Sequence, residues 1–262
     1  MENLEEVLRL EIKTDPEAVR NQALWCGLKP GLRVMDAGCG PGKVTSIIHE
    51  MIQPGGHILG LDYSEERIQH AEKKYGRKPG IKFQVHDLRE PFADMGQFDL
   101  IWARFMLEYN LEESHDIVKH LSDYLKPGGY LCLLDLDQNC LNHYEMPKEM
   151  ESLIIKIIKK LEQKYNFDPY VGKKLYAYLY DLGFEDIKVN LTAHHLIYGE
   201  AKEKDAFNWL KKMEVVSEKT KALFKKYPRN YGGFKKDFKN YFNDPRRFIY
   251  TPMILCKGRK PL

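Results

Sequence analysis

Val34-Met35-Asp36-Ala37-Gly38-Cys39-Gly40-Pro41-Gly42 constrains the fold more than any other stretch of the chain. Its first half is a short apolar run that suits a buried parallel strand, and its second half places three glycines in five residues. From Lys43 the apolar period changes to that of a helix, with Val44, Ile47, Ile48 and Met51 on one side, until Pro54-Gly55-Gly56 breaks it. A second strand follows over His57 to Asp62, and Ser64 then offers a hydroxyl cap to a helix with Glu65 and Glu66 in its positive first turn.

The alternation continues. Residues 82–87 and 98–104 have strand character, 111–125 helical character, and Lys126-Pro127-Gly128-Gly129 precedes a fifth strand over 130–136. Strands alternating with helices predict an α/β fold with a mostly parallel, doubly wound sheet. Beyond it, Met150, Leu153, Ile154, Ile157, Ile158 and Leu161 form one apolar helical stripe, best read as a core-facing surface. A helix over 173–182, a strand over 185–195 and a last strand over 248–257 complete a seven-stranded Rossmann-like sheet. Residues 200–245, rich in lysine and aromatics, read as a helical cap inserted between the last two strands; 1–199 and 246–262 form the core.

At 262 residues, 43% of them hydrophobic, a chain buries enough surface to need no disulfide or metal staple. Cys26, Cys39, Cys132, Cys140 and Cys256 are odd in number and widely spread, which points to neither a disulfide framework nor a zinc site. The start, Met1-Glu2-Asn3-Leu4-Glu5-Glu6, is acidic where a signal peptide is basic, and no apolar run approaches the ~18 residues that span a bilayer. The expectation is a cytoplasmic protein with no transmembrane segment. The formal charge of +3 hides an asymmetry: residues 201–262 carry 17 basic and 6 acidic side chains.

The glycine loop admits close backbone approach, and a carboxylate at Asp62, about twenty residues on, suits the hydroxyls of a ribose. Pro41 lacks a donor and Lys43 is outside a G-x-x-x-x-G-K-[ST] sequence, so an ATP phosphate cradle is excluded. Residues 34–42 resemble the first motif of the class I S-adenosylmethionine-dependent methyltransferases. Gly60-Leu61-Asp62-Tyr63-Ser64 is similar to the family's acidic second motif, His86-Asp87-Leu88 to its adenine-contacting segment, 98–102 to its fourth strand and 125–129 to the turn before its fifth. The resemblance implies a sheet whose last strand is antiparallel and S-adenosylmethionine as cofactor. It implies that Gly38, Gly40 and Gly42 line the methionine portion, with Asp36 and Cys39 in the same loop. Asp62 and Tyr63 then lie at the ribose, Asp87 and Leu88 at the adenine, and Ala103 and Arg104 by the reacting sulfur.

A nicotinamide-dependent oxidoreductase shares the strand, loop and later acid, but its G-x-G-x-x-G fingerprint is absent; a non-catalytic cofactor-binding protein is the other alternative. Methyl transfer requires no particular catalytic side chain. Should the acceptor need a base, His143, His194 and His195 fall after the fifth strand, and Glu108 and Tyr109 after the fourth. Asp135, Asp137 and Asn139 offer oxygen ligands, but with no partner carboxylate evident no metal is expected. An Asn/Asp-Pro-Pro-aromatic sequence, typical of amino-methylating enzymes of nucleic acids, is replaced by Trp102-Ala103-Arg104-Phe105, which disfavours nucleic acid. The expected acceptor is a small, largely apolar molecule under the cap, with Phe207, Trp209, Phe234 and Tyr241 as candidate lining.

Overall fold

A computed structural model describes residues 4–91 and 95–262. Residues 1–3, half of the acidic start noted above, lie outside the described residues. Two helices that the periodicity analysis did not identify come first: α1 (Leu4–Lys13) and α2 (Pro16–Cys26). Local chemistry fixes α2 at both ends. Asp15 accepts from the amides of Glu17 and Ala18, Pro16 starts the first turn, and Gly27 closes the helix in the left-handed region at φ 96°.

Next come β1 (Arg33–Ala37), α3 (Lys43–Met51), β2 (His57–Asp62), α4 (Glu65–Tyr75), β3 (Ile81–Val85) and β4 (Phe98–Arg104). A 3₁₀ turn over Leu107–Tyr109 leads to α5 (Ser114–Asp123), β5 (Leu125–Leu136), β6 (His143–Tyr144) and α6 (Lys148–Tyr165). After a second 3₁₀ turn, Val171–Lys174, the chain forms α7 (Leu175–Asp181), β7 (Glu185–Ile197), α8 (Glu203–Phe224), α9 (Asn230–Asn243) and β8 (Phe248–Arg259).

The strand order is β3-β2-β1-β4-β5-β8, with β7 on the far side of β8; β8 runs antiparallel to both its neighbours. The sheet is therefore mostly parallel with one reversed strand, as expected. An eighth strand, β6, is only two residues long and pairs with the start of β8. Several expected boundaries move: β5 begins at Leu125, its Lys-Pro-Gly-Gly stretch included; α5 shrinks to ten residues; β7 extends to Ile197; β3 ends at Val85, before Asp87; α7 begins at Leu175; and β8 runs to Arg259.

The central strands β1, β4 and β5 are buried on both faces, and alternate residues go to two different cores, whereas β7 is largely exposed. Met35, Ile101 and Leu133 join α5 and α7 on one face, whereas Val34, Leu100, Trp102 and Leu134 join α3 on the other. A third core belongs to the helices after the sheet: the α6 stripe packs on Trp209 and Met213 of α8 and on Phe234 and Phe238 of α9. All five cysteines are free and buried. Among the described residues, no helix is long and apolar enough to cross a membrane.

Candidate functional site

The order of connection reverses between β1 and β4, which opens a crevice beyond the carboxyl ends of those strands. The glycine loop crosses it. The amides of Gly38 and Cys39 both donate to the Leu61 carbonyl at 2.8 Å, and the Gly40 amide donates to Asp62 Oδ2 at 2.9 Å. The glycines are present for different reasons. A Cβ on Gly38 would lie 2.8 Å from Met106 Cβ, and one on Gly42 2.7 Å from Ala71 Cβ, so these two permit protein packing at positive φ. Over Gly40 the nearest atom, Leu10 Cδ1, is 3.9 Å away, and here the missing side chain leaves room for a ligand.

Asp62 is 4% exposed. Besides Gly40, it accepts from the Ser64 amide at 3.0 Å and pairs with Arg67 at 3.5 Å. Asp87 is clasped by Arg89, whose Nε lies 2.9 Å from Oδ1, and this contact holds the carboxyl below its ordinary range. Leu88, buried beside it, supplies an apolar surface.

These groups line a cavity of about 440 Å³, within the size range of small-molecule sites. Of the eleven residues assigned to the cofactor, it brings together Gly38, Cys39, Gly40, Asp62, Tyr63, Asp87, Leu88 and Arg104. Asp36, Gly42 and Ala103 do not line it. Asp36 is buried beneath the loop, where Thr45 Oγ1 donates to it at 2.6 Å; burial pushes its carboxyl up to about 7, against the pull of Thr45 and Arg104. Ala103 faces the sheet core. Open space above a loop glycine, a buried carboxylate with its donors in place and an apolar strip beside it together fit an adenosine-type cofactor.

Arg104 ends β4, and Phe105 follows in the left-handed region at φ 57°, an unusual conformation for an aromatic residue. The Arg104 guanidinium lies 4.0 Å from the Phe105 ring centroid and donates Nε to Gln22 Oε1 at 3.0 Å. A guanidinium is no partner for a cationic sulfur, so Arg104 suits an anion better than the sulfonium that the resemblance placed beside it.

A second cavity, about 370 Å³, adjoins the first. Arg9, Lys13, Thr14 and Arg104 line both. The sequence reading missed the α1 residues among them, because charged positions on a helix look like a solvated face. Burial pushes the Lys13 ammonium down to about 7, helped by Arg9, Lys212 and Arg104.

His194 and His195 line this second cavity, with ring centroids 4.2 Å apart. Arg9 Nη1 donates to Asn208 Oδ1 at 3.0 Å, which turns the amide nitrogen toward His195 Nε2 at 3.4 Å. That contact puts the His195 proton on Nδ1. His194 packs its ring 4.6 Å from Phe105, and its Nε2 is buried with no partner. Burial holds both imidazoles well below their usual range, with nearby cations adding to the effect.

The other candidate bases lie elsewhere. His143 packs in the third core between Trp209 and Tyr241, where burial lowers it to about 4. Glu108 is buried and accepts from Asn139 Nδ2 at 2.7 Å; Tyr109 lines the first cavity. Asp135 accepts from the amides of Leu107 and Leu136, Asp137 pairs with Lys173 at 3.6 Å, and Asn139 Oδ1 accepts from Lys212 at 3.1 Å. Of the four aromatics expected to line an acceptor site, only Phe207 does so. Trp209, Phe234 and Tyr241 are consumed in the third core, where they pack on Phe238, Phe224 and His143 rather than on a cavity.

A strand-loop-helix crevice with this loop, acid and sheet order defines a class I methyltransferase fold. The methyltransferase-domain family matches residues 28–216, and the chain belongs to it. Residues 28–216 are thus a methyltransferase domain, the first of the expected alternatives. Demethylmenaquinone methyltransferase of Staphylococcus aureus is 29% identical over 133 residues, 50% of this chain and 53% of that protein. The chain spans about half the length of the curated relatives it matches. Among solved structures it is similar to an S-adenosylmethionine-dependent methyltransferase from Aquifex aeolicus (TM-score 0.52, 19% identity, 76% of this chain and 93% of that one). It is also similar to phosphoethanolamine N-methyltransferase 2 of Haemonchus contortus, crystallised with phosphomonomethylethanolamine and S-adenosylhomocysteine (TM-score 0.59, 16% identity, 94% and 53%). At these identities the likeness is one of fold.

Proposed function

We propose that this enzyme holds S-adenosylmethionine in the 440 Å³ cavity and methylates a small molecule held in the 370 Å³ cavity beside it. The observation that carries this reading is the common wall: Arg9, Lys13, Thr14 and Arg104 line both spaces. Donor and acceptor sites are therefore neighbours within one protein. Asp62 accepts from the ribose hydroxyls, Leu88 packs on the adenine and the open backbone at Gly40 admits the methionine portion. When bound, the cofactor supplies an electrophilic methyl carbon on a sulfonium, whose departure leaves a neutral thioether.

The chain's own contribution is alignment, worth up to roughly 7–11 kcal/mol in favourable intramolecular systems. Helix α8 acts as the cap, with α9 behind it: Phe207 and Asn208 line the acceptor cavity, and Lys219 reaches the donor cavity, whereas α9 lines neither. Because they share a core with α6, their removal would strip the α6 stripe, so point substitutions test the cap better than deletion. For a hydroxyl acceptor, His194 Nε2 takes the proton that the acceptor loses. His194→Ala is expected to lower kcat by ~10²-fold or more while S-adenosylhomocysteine affinity changes less than twofold. Unchanged kcat with a hydroxyl acceptor refutes the base assignment.

A further inference from the structure

The wall between the cavities carries more positive charge than the cofactor can answer. Among the described residues Lys13 has no carboxylate within ion-pair distance; its ammonium lies 5.2 Å from the Phe105 ring centroid. Arg104 lies over the same ring and bonds a neutral amide oxygen, that of Gln22. Lys212 likewise reaches a neutral oxygen, that of Asn139. The acids near these cations are otherwise engaged: Asp36 and Asp135, which act on Arg104, accept from Thr45 and from the amides of Leu107 and Leu136. Glu108, the carboxylate that acts on Lys13, accepts from Asn139, and exposed Asp15 caps α2. Asp205, in the first turn of α8, is the remaining acid of the second cavity's lining.

S-adenosylmethionine brings one carboxylate, together with a sulfonium and an ammonium of its own. One anion for several cations leaves a positive surplus beside the acceptor space. We propose that the acceptor carries an anionic group, a carboxylate or a phosphate monoester, held by Lys13 and Arg104, with its apolar part toward Phe207 and Met253. The proposal rests on the two-cavity reading above. It also gives the clustered charges a purpose: an anion seated there offsets the repulsion that Lys13, Arg104, Lys212 and His195 exert on His194, so that the imidazole becomes a stronger base when the acceptor is in place.

The test uses the full chain saturated with S-adenosylhomocysteine and three probes of one shape: benzoate, phenyl phosphate and benzyl alcohol, each titrated by calorimetry. At least one anionic probe is expected to bind tenfold or more tightly than benzyl alcohol, and the preference between benzoate and phenyl phosphate identifies the group. Lys13→Met should remove most of that preference while S-adenosylhomocysteine affinity stays within threefold. Equal binding of all three probes overturns the proposal on the unmodified protein, whether or not the variant folds. So does displacement of S-adenosylhomocysteine by the anions, or a variant that loses cofactor affinity but keeps the anion preference; the cations would then serve the cofactor's carboxylate. Failure of S-adenosylhomocysteine to bind at all is seen before any probe is added and refutes the donor site itself.

Discussion

Asp62 holds the glycine loop in shape as well as facing the donor cavity, and its replacement should show both effects. Its carboxylate accepts from the backbone amides of Gly40 and Ser64 at 2.9 and 3.0 Å, and it is 4% exposed. Alanine leaves two buried amides without partners, each costing about 1–3 kcal/mol. The expected loss is roughly 2–6 kcal/mol, which at ~2–4 °C per kcal/mol for a protein of about this size lowers Tm by about 4–24 °C. The ribose contacts vanish with it, so the Kd for S-adenosylhomocysteine should rise more than tenfold, ~1.4 kcal/mol or more. Asparagine retains one acceptor oxygen and should fall between alanine and the parent in both readouts. Thermal melts and titration calorimetry on the three proteins separate the contributions. Unchanged affinity in the folded alanine variant shows that the ribose contact is misassigned; unchanged Tm refutes the structural half.

Asp36 behaves in the opposite sense. Its carboxyl is raised to about 7 by burial, so folding favours the protonated form, and the stability it confers is lost as pH rises from the ordinary carboxylate range through 7. Asp36→Asn mimics the protonated form and can still accept from Thr45. The variant should gain Tm relative to the parent, by a few kcal/mol at most and more at pH 8 than at pH 5; a loss at both pH values contradicts the burial argument. The loop glycines give a second contrast. Gly40→Ala, at φ 55°, should lose only the ~1–2 kcal/mol of a left-handed alanine yet bind S-adenosylhomocysteine more weakly, because its methyl group enters open cavity. Gly42→Ala, at φ 86° and 2.7 Å from Ala71 Cβ, should lose stability first, by ~2 kcal/mol or more; equal behaviour of the two in melts and calorimetry refutes the distinction.

The glycine-loop cavity was legible because its signals are local. The strand-to-helix change of period at Lys43, the glycines before it and Asp62 at the end of β2 each follow from one short stretch of chain. The wall between the cavities was not. Lys13 and Arg9 lie on a short charged helix whose position depends on distant anchors: Glu11 accepts from Lys74 and Tyr75, and Arg9 meets Asn208. Nothing in the periodicity of residues 4–13 encodes those partners. The cap illustrates a different limit. Phe234, Phe238 and Tyr241 at helical spacing identify an apolar face, but spacing does not say what the face meets; it meets Phe224 and Trp209 of α8, and His143. Strand β6 is too short for any alternation to register, and the Lys-Pro-Gly-Gly stretch reads as a turn although β5 runs through it. Asp36 belongs to the right motif yet lies on the wrong side of its own strand to touch a ligand, which only the register of β1 between β2 and β4 reveals.

A crystal structure of the protein with S-adenosylhomocysteine bears most directly on the two-cavity arrangement. The adenine should lie against Leu88, the ribose hydroxyls at Asp62, and the sulfur should open toward the space bounded by Arg104 and His194. A nucleoside seated in the His194–His195 cavity, or a sulfur turned away from it, would contradict the arrangement.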